Sequence, residues 1–240
     1  MHHSRQTIDH PTLLPDYRRV RARTEALCES LEPEDMVVQS MPEVSPTKWH
    51  LAHVTWFFET LVLAAHRPGY APFDERYGRL FNSYYQSLGK PFARARRGLL
   101  TRPTVDEVFD YRRHVDAAMA DLLRELHESE AREIESLVTI GLHHEQQHQE
   151  LMLMDILHVL AQNPLRPAYR AAAQASPTDR SGSPLRWHAF PGTDARIGAD
   201  AAAFCFDNEL PRHAVRLQPF ELASRLVTAE EYRRFMADGG

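Results

Sequence analysis

Between Arg132 and Leu160 the chain contains no proline and a single glycine, Gly141, so nothing in this stretch interrupts a helix. Ile134, Leu137, Val138, Gly141, Leu151, Met152, Ile156 and Val159 fall on one arc when the residues are wound at 100° each. A helix this long with one apolar arc must bury it against other helices, which points to a bundle. In its middle lies His143-His144-Glu145-Gln146-Gln147-His148-Gln149-Glu150. His144 and His148 sit one turn apart inside the apolar arc, whereas His143 points to the opposite side. A core that takes in two neighbouring imidazoles must satisfy four ring nitrogens, and a divalent metal held by two of them is an efficient solution. A single inward histidine is more often an ordinary hydrogen-bonded core residue. For the pair, the competing reading is a polar seam linked by Gln147 and Glu150.

Three further helices are predicted. Tyr17, Val20, Thr24, Leu27 and Leu31 recur at helical spacing. Ser45-Pro46-Thr47 offers a cap followed by proline in a first turn, and Trp49 to Ala65 runs on without glycine or proline. Val105, Val108, Phe109, Arg112, Val115, Met119, Leu122 and Leu126 share one side of a third helix. From Arg67 to Pro103 the chain is punctuated by glycine and proline and rich in tyrosine and arginine, which suits a long connection. The expected organisation is a helical bundle over 1–162, a Pro-, Ala- and Ser-rich linker over 163–186, and a third segment, 187–240. There, short alternating runs such as His213 to Leu217 predict strands, followed by a helix from Ala229 to Met236. The third segment is too short for a complete domain.

Composition narrows the function. The 28 basic and 33 acidic residues give a net charge of -5 without a concentrated basic patch, which argues against nucleic acid. No apolar run approaches the roughly 20 residues needed to cross a bilayer, and the start of the chain has no apolar signal core. Cys28 and Cys205 lack metal-type spacing and read as reduced thiols. A soluble, cytoplasmic protein is expected.

A third metal ligand must come from another helix, since an i, i+4 pair fills only two adjacent positions. Within Trp49-His50-Leu51-Ala52-His53 the later histidine shares its side with Trp49, Trp56 and Thr60, but a helix apolar almost all round separates His53 from His50 only weakly. Three neutral imidazoles suit Fe(II), Zn(II), Cu(II) or Ni(II) alike. Glu145 and Asp155 lie near the inner arc as acceptors for ring N–H groups, with ordinary polar packing as their plain alternative. Residues 144–148 also satisfy the zinc-protease pattern, with Glu145 as general base. Its downstream ligand is missing, because the expected position holds Met154 and no glutamate occurs from Leu151 through Thr193.

The segment Ser45-Pro46-Thr47-Lys48-Trp49-His50-Leu51-Ala52-His53-Val54-Thr55-Trp56-Phe57-Phe58-Glu59, together with His144-Glu145-Gln146-Gln147-His148, resembles the DinB-like domain of ergothioneine sulfoxide synthases. Phe204 to His213, followed by Arg225-Leu226-Val227-Thr228 and Glu231-Tyr232, resembles the opening of the formylglycine-generating-enzyme-like domain that follows it in that family; Ala229 replaces the asparagine common there. The resemblance implies a mainly α chain, a DinB-like four-helix bundle followed by the start of an α+β formylglycine-generating-enzyme-like domain. It implies Fe(II) bound by His53, His144 and His148, while His50 matches no family ligand. It also implies joining of a thiol, γ-glutamylcysteine or cysteine, to the imidazole C2 of hercynine with O2. Arg94, Arg96 and Arg97 lie near where relatives hold the thiol substrate's carboxylates, Arg94 and Arg97 being the choices for that role, and Tyr84 and Tyr85 are candidates for the same approach. A catalytic tyrosine is expected beyond Gly240, so the chain is expected to be a fragment. The alternatives are a non-catalytic DinB-like metal-binding bundle, a zinc hydrolase, and a relative of ovothiol-synthase type acting on another thiol or histidine derivative.

Overall fold

The computed structural model describes residues 13–83, 91–126, 128–171, 184–200 and 204–240. The chain divides into two compact units, residues 1–172 and 173–240.

The first unit is built on four helices: α1 (Leu13–Ala26), α2 (Thr47–Phe57), α3 (Val105–Arg124) and α4 (Glu128–Gln162). The predicted mainly α bundle is what forms. α2 lies at its centre, packed on both α3 and α4, and every residue from Thr47 to Phe57 is buried. That is why its sequence is apolar on nearly all faces. Tyr17, Val20, Trp56, Phe58, Val108, Tyr111, Val115, Met119, Ile134 and Val138 form the core between the helices, each large apolar side chain contributing about 1.5–3 kcal/mol by leaving water. α3 starts at a capping box: the Thr104 hydroxyl accepts from Glu107 N–H and Glu107 accepts from Thr104 N–H, satisfying two otherwise orphaned donors.

Two helix ends differ from the sequence expectation. The stripe through Leu31 overruns α1, which stops at Ala26. Its last carbonyls are met from the far end of the unit, where Arg170 donates to Ala26 O and Tyr169 to Leu27 O, at 2.8 and 2.6 Å. The helix expected to run evenly to Ala65 instead widens into a π-helical segment, Phe58–Leu63, in which Ala64 N–H reaches back to Glu59 O. Within this wide turn Glu59 is buried, and it accepts from Tyr70 and Tyr111 hydroxyls and from Phe73 N–H. The long connection is thereby tied to α2 and α3.

An ionic network crosses the apolar core. Glu145 of α4, wholly buried, accepts from Arg21 of α1 at 2.9 Å, Arg112 of α3 at 3.2 Å and the Thr24 hydroxyl at 2.6 Å. Arg21 also reaches Asp116 at 2.7 Å and Thr55 of α2 at 3.0 Å. All four helices thus meet at one set of paired charges, which fixes their mutual register. The connection adds a helical turn at Tyr77–Leu80 and a 3-10 segment at Arg94–Leu99. Tyr84 and Tyr85 lie outside the described residues, as does half of the expected linker, 172–183.

The second unit holds four short strands, β1 (Trp187–Phe190), β2 (Thr193–Ile197), β3 (His213–Leu217) and β4 (Phe220–Ala223), and one helix, α5 (Ala229–Ala237). β1 pairs antiparallel with β4, and β2 with β3. Thr228 and Glu231 form the capping box of α5, and Arg225 grips the Glu231 carboxylate from the preceding turn. None of the described residues in this unit is buried.

Candidate metal centre

His53 projects from the middle of α2, and His144 and His148 from successive turns of α4. Each offers one ring nitrogen, and the three nitrogens lie within 4.8 Å of one another. The helices approach closely here because of Gly141, one turn before His144: a Cβ there would stand 2.5 Å from the Phe58 ring and 2.8 Å from that of Phe57. Only hydrogen in place of a side chain permits that contact.

His53 is held tightly. Its Nδ1 donates to Phe81 O at 2.6 Å. Its ring lies between two indoles, with Trp49 4.6 Å away on one side and Trp56 5.6 Å away on the other, at interplanar angles of 15° and 12°. The Arg97 guanidinium caps this column 3.3 Å above the Trp49 ring, and Trp56 Nε1 donates to Gly78 O. His148 is fixed from the other direction: its Nδ1 is 2.8 Å from His50 Nδ1, and His50 Nε2 is 3.0 Å from Asp155 Oδ2. His144 differs from both, since its Nδ1 is buried with no hydrogen-bond partner.

Burial holds all three rings neutral at physiological pH. It lowers the pKa of His53 well below the ordinary imidazole value, assisted by the neighbouring His144, and brings that of His144 to about 4. The His148 pKa is likewise depressed, by burial and by the three other imidazoles around it. Three neutral rings with converging nitrogens, one carrying an orphaned buried nitrogen, form a donor set that fits a divalent cation. His53 is 2% exposed, while His144 and His148 are half-buried, so the cluster opens on one side.

The other predicted residues separate. Glu145, expected as an acceptor for a ring N–H, is turned to Arg21, Arg112 and Thr24, because two buried guanidiniums need its charge more than a neutral ring does. The same commitment denies it the general-base role of a zinc hydrolase. Asp155 does accept from a ring, but from His50, and it accepts also from Ser45 N–H. Arg94 and Arg96 are exposed on the 3-10 segment, whereas Arg97 is 4% exposed and donates to Ser45 Oγ beneath its stack on Trp49. Sequence reasoning passed over His50 as a partner of His148. The available signal was Asp155, seven residues after His148 and on the same face of α4.

The sequence pattern of the DinB superfamily matches residues 16–152, the whole of this histidine-bearing bundle up to the second half of α4. The chain belongs to the DinB superfamily. Among curated proteins, this DinB-superfamily chain is similar to the hercynine oxygenase of Mycobacterium tuberculosis, 29% identical over 226 residues, covering 92% of this chain and 49% of that protein. It is 30% identical over 239 residues to the hercynine oxygenase of Mycolicibacterium smegmatis, with 97% of this chain and 52% of that protein covered. A weaker similarity, 24% over 148 residues, links it to ergothioneine biosynthesis protein 1 of Neurospora crassa, covering 57% of this chain and 17% of that protein. These relatives support the resemblance to ergothioneine sulfoxide synthases carried by the two histidine segments. The chain spans about half the length of the hercynine oxygenases it matches.

Proposed function

We propose that this chain is the metal-binding part of an Fe(II)- and O2-dependent sulfoxide synthase of ergothioneine biosynthesis, joining the sulfur of γ-glutamylcysteine or cysteine to the imidazole C2 of hercynine. The observation that carries the reading is the convergence of His53, His144 and His148, with the orphaned Nδ1 of His144 among them. The names of the similar proteins support hercynine as the substrate.

His53, His144 and His148 would hold the ion, which when bound supplies the O2-dependent oxidation that links sulfur to carbon. The chain's own residues do the rest. Burial keeps the three imidazoles neutral, so each retains one ring lone pair for which the ion need not compete with a proton. The indoles of Trp49 and Trp56 close both faces of His53, while the half-buried sides of His144 and His148 leave room for small molecules to enter. Of the two arginines tied by resemblance to the thiol substrate's carboxylates, Arg94 is exposed and suited to meet one, and Arg97 serves by bracing Trp49.

Anaerobic Fe(II) titration with element analysis tests the site. Near-stoichiometric binding is expected in the parent, with loss in each of His53→Ala, His144→Ala and His148→Ala; no binding in the parent, or undiminished binding in the variants, refutes the ligand assignment. The function is tested on the Co(II)-loaded chain. Addition of γ-glutamylcysteine or cysteine should bring up a thiolate-to-metal absorption band. A loaded chain that ignores both thiols would overturn the synthase reading and leave a metal-binding bundle.

A further inference from the structure

Asp155, His50 and His148 form a continuous hydrogen-bonded chain in which α2 bridges two points two turns apart on α4. Proton positions along it can be counted. Ser45 N–H, which can only donate, lies 2.9 Å from Asp155 Oδ2, so that oxygen is an acceptor. His50 Nε2 meets the same oxygen and therefore donates to it. His50 is 3% exposed and packed against the His148 imidazole, a setting that disfavours an imidazolium, so the ring is neutral and has no second N–H. Its Nδ1 is then a lone pair. His148 Nδ1, 2.8 Å away, must place its single N–H on that lone pair. The lone pair of His148 is left on Nε2.

The opposite arrangement, with His50 Nδ1–H donating to His148 Nδ1, would put the His148 proton on Nε2 and abolish it as a ligand. It would also set the lone pair of His50 Nε2 against the Asp155 oxygen. The carboxylate thus selects one direction for the whole chain. His53 reaches the same state by a shorter route, its Nδ1 proton being taken by Phe81 O.

We propose that His50 is a positioning residue for the metal centre: anchored by Asp155, it holds His148 in the Nδ1–H form so that Nε2 faces the ion. The proposal rests on the metal-binding reading above and adds the reason His148 is competent before any ion arrives. It also explains a buried histidine that is itself no ligand. Removal of such an outer partner typically lowers metal affinity about 10- to 100-fold.

Long-range proton–nitrogen correlation spectra of the metal-free, nitrogen-15-labelled chain test this directly. His148 should give the Nδ1–H pattern in the parent, and an Nε2–H pattern there overturns the proposal outright. In His50→Leu the Nδ1–H form should no longer dominate, and Co(II) affinity should fall about 10- to 100-fold. His50→Gln, whose side-chain oxygen can accept from His148, should recover part of both, and Asp155→Leu should act in the same direction as His50→Leu. His148→Ala separates the two readings. If it abolishes binding while His50→Leu binds as the parent does with the Nδ1–H form intact, the positioning role fails and the metal site stands. If His148→Ala binds as the parent does, the metal reading itself fails.

Discussion

Replacing Glu145 by Gln should destabilise the bundle far more than a surface change would, and for an electrostatic reason. Glu145 is wholly buried and answers two guanidiniums, at 2.9 and 3.2 Å. Its amide analogue keeps the volume but leaves Asp116 as the remaining carboxylate on Arg21 and Glu25, at 3.4 Å, as that on Arg112, among the described residues. Removing one partner from a buried ion pair costs about 3–5 kcal/mol. With a slope of about 2 kcal/mol per M of urea, the unfolding midpoint read by helical circular dichroism should fall by about 2 M. Glu150→Gln, exposed one turn further on, should stay within about 0.5 kcal/mol of the parent. The pH dependence has a definite sign. Burial pulls the Glu145 pKa upward, but Arg21, Arg112 and the Thr24 hydroxyl outweigh it and hold the carboxyl below its ordinary value. A carboxyl depressed on folding stabilises fully above its unfolded pKa and loses that contribution as pH falls through the folded value. The gap between parent and Glu145→Gln should therefore close in acid. A gap below about 1 kcal/mol at neutral pH, or one that widens as pH falls, would refute this account of the core.

Gly141→Ala should destabilise although alanine is the better helix former, because its Cβ would enter the rings of Phe57 and Phe58; a cost of about 1–3 kcal/mol is expected in urea unfolding, with weaker metal binding as α4 is pushed off α2. Burial pushes the Cys28 thiol up to about 12, so at pH 8 a thiol reagent should label only Cys205 quickly in the native chain, and both cysteines in denaturant.

Most of the bundle was legible because periodicity reports burial. The arc through Ile134, Val138 and Ile156 marked α4, and Thr104 with Glu107 could be read as a start signal for α3. α2 was legible as a helix but not in its detail. A segment buried on all sides carries no phase, so neither the widening at Phe58–Leu63 nor the separate tasks of His50 and His53 could be read from a wheel. Glu145 misled for a related reason: its position on α4 placed it inward, but its choice of partners depended on Arg21 and Arg112, residues 124 and 33 positions away. The C-terminal end of α1 was hidden by a single pair of contacts from Tyr169 and Arg170, too few to leave a pattern.

The aromatic column around His53 has a thermodynamic consequence. A histidine side chain free to rotate would lose that freedom on meeting an ion, and the loss would weaken binding. Here the Trp49 and Trp56 faces and the carbonyl of Phe81 have already restricted both torsions as the helices pack. The ordering entropy of this ligand is thus charged to folding, and little of it is left to oppose capture of the ion.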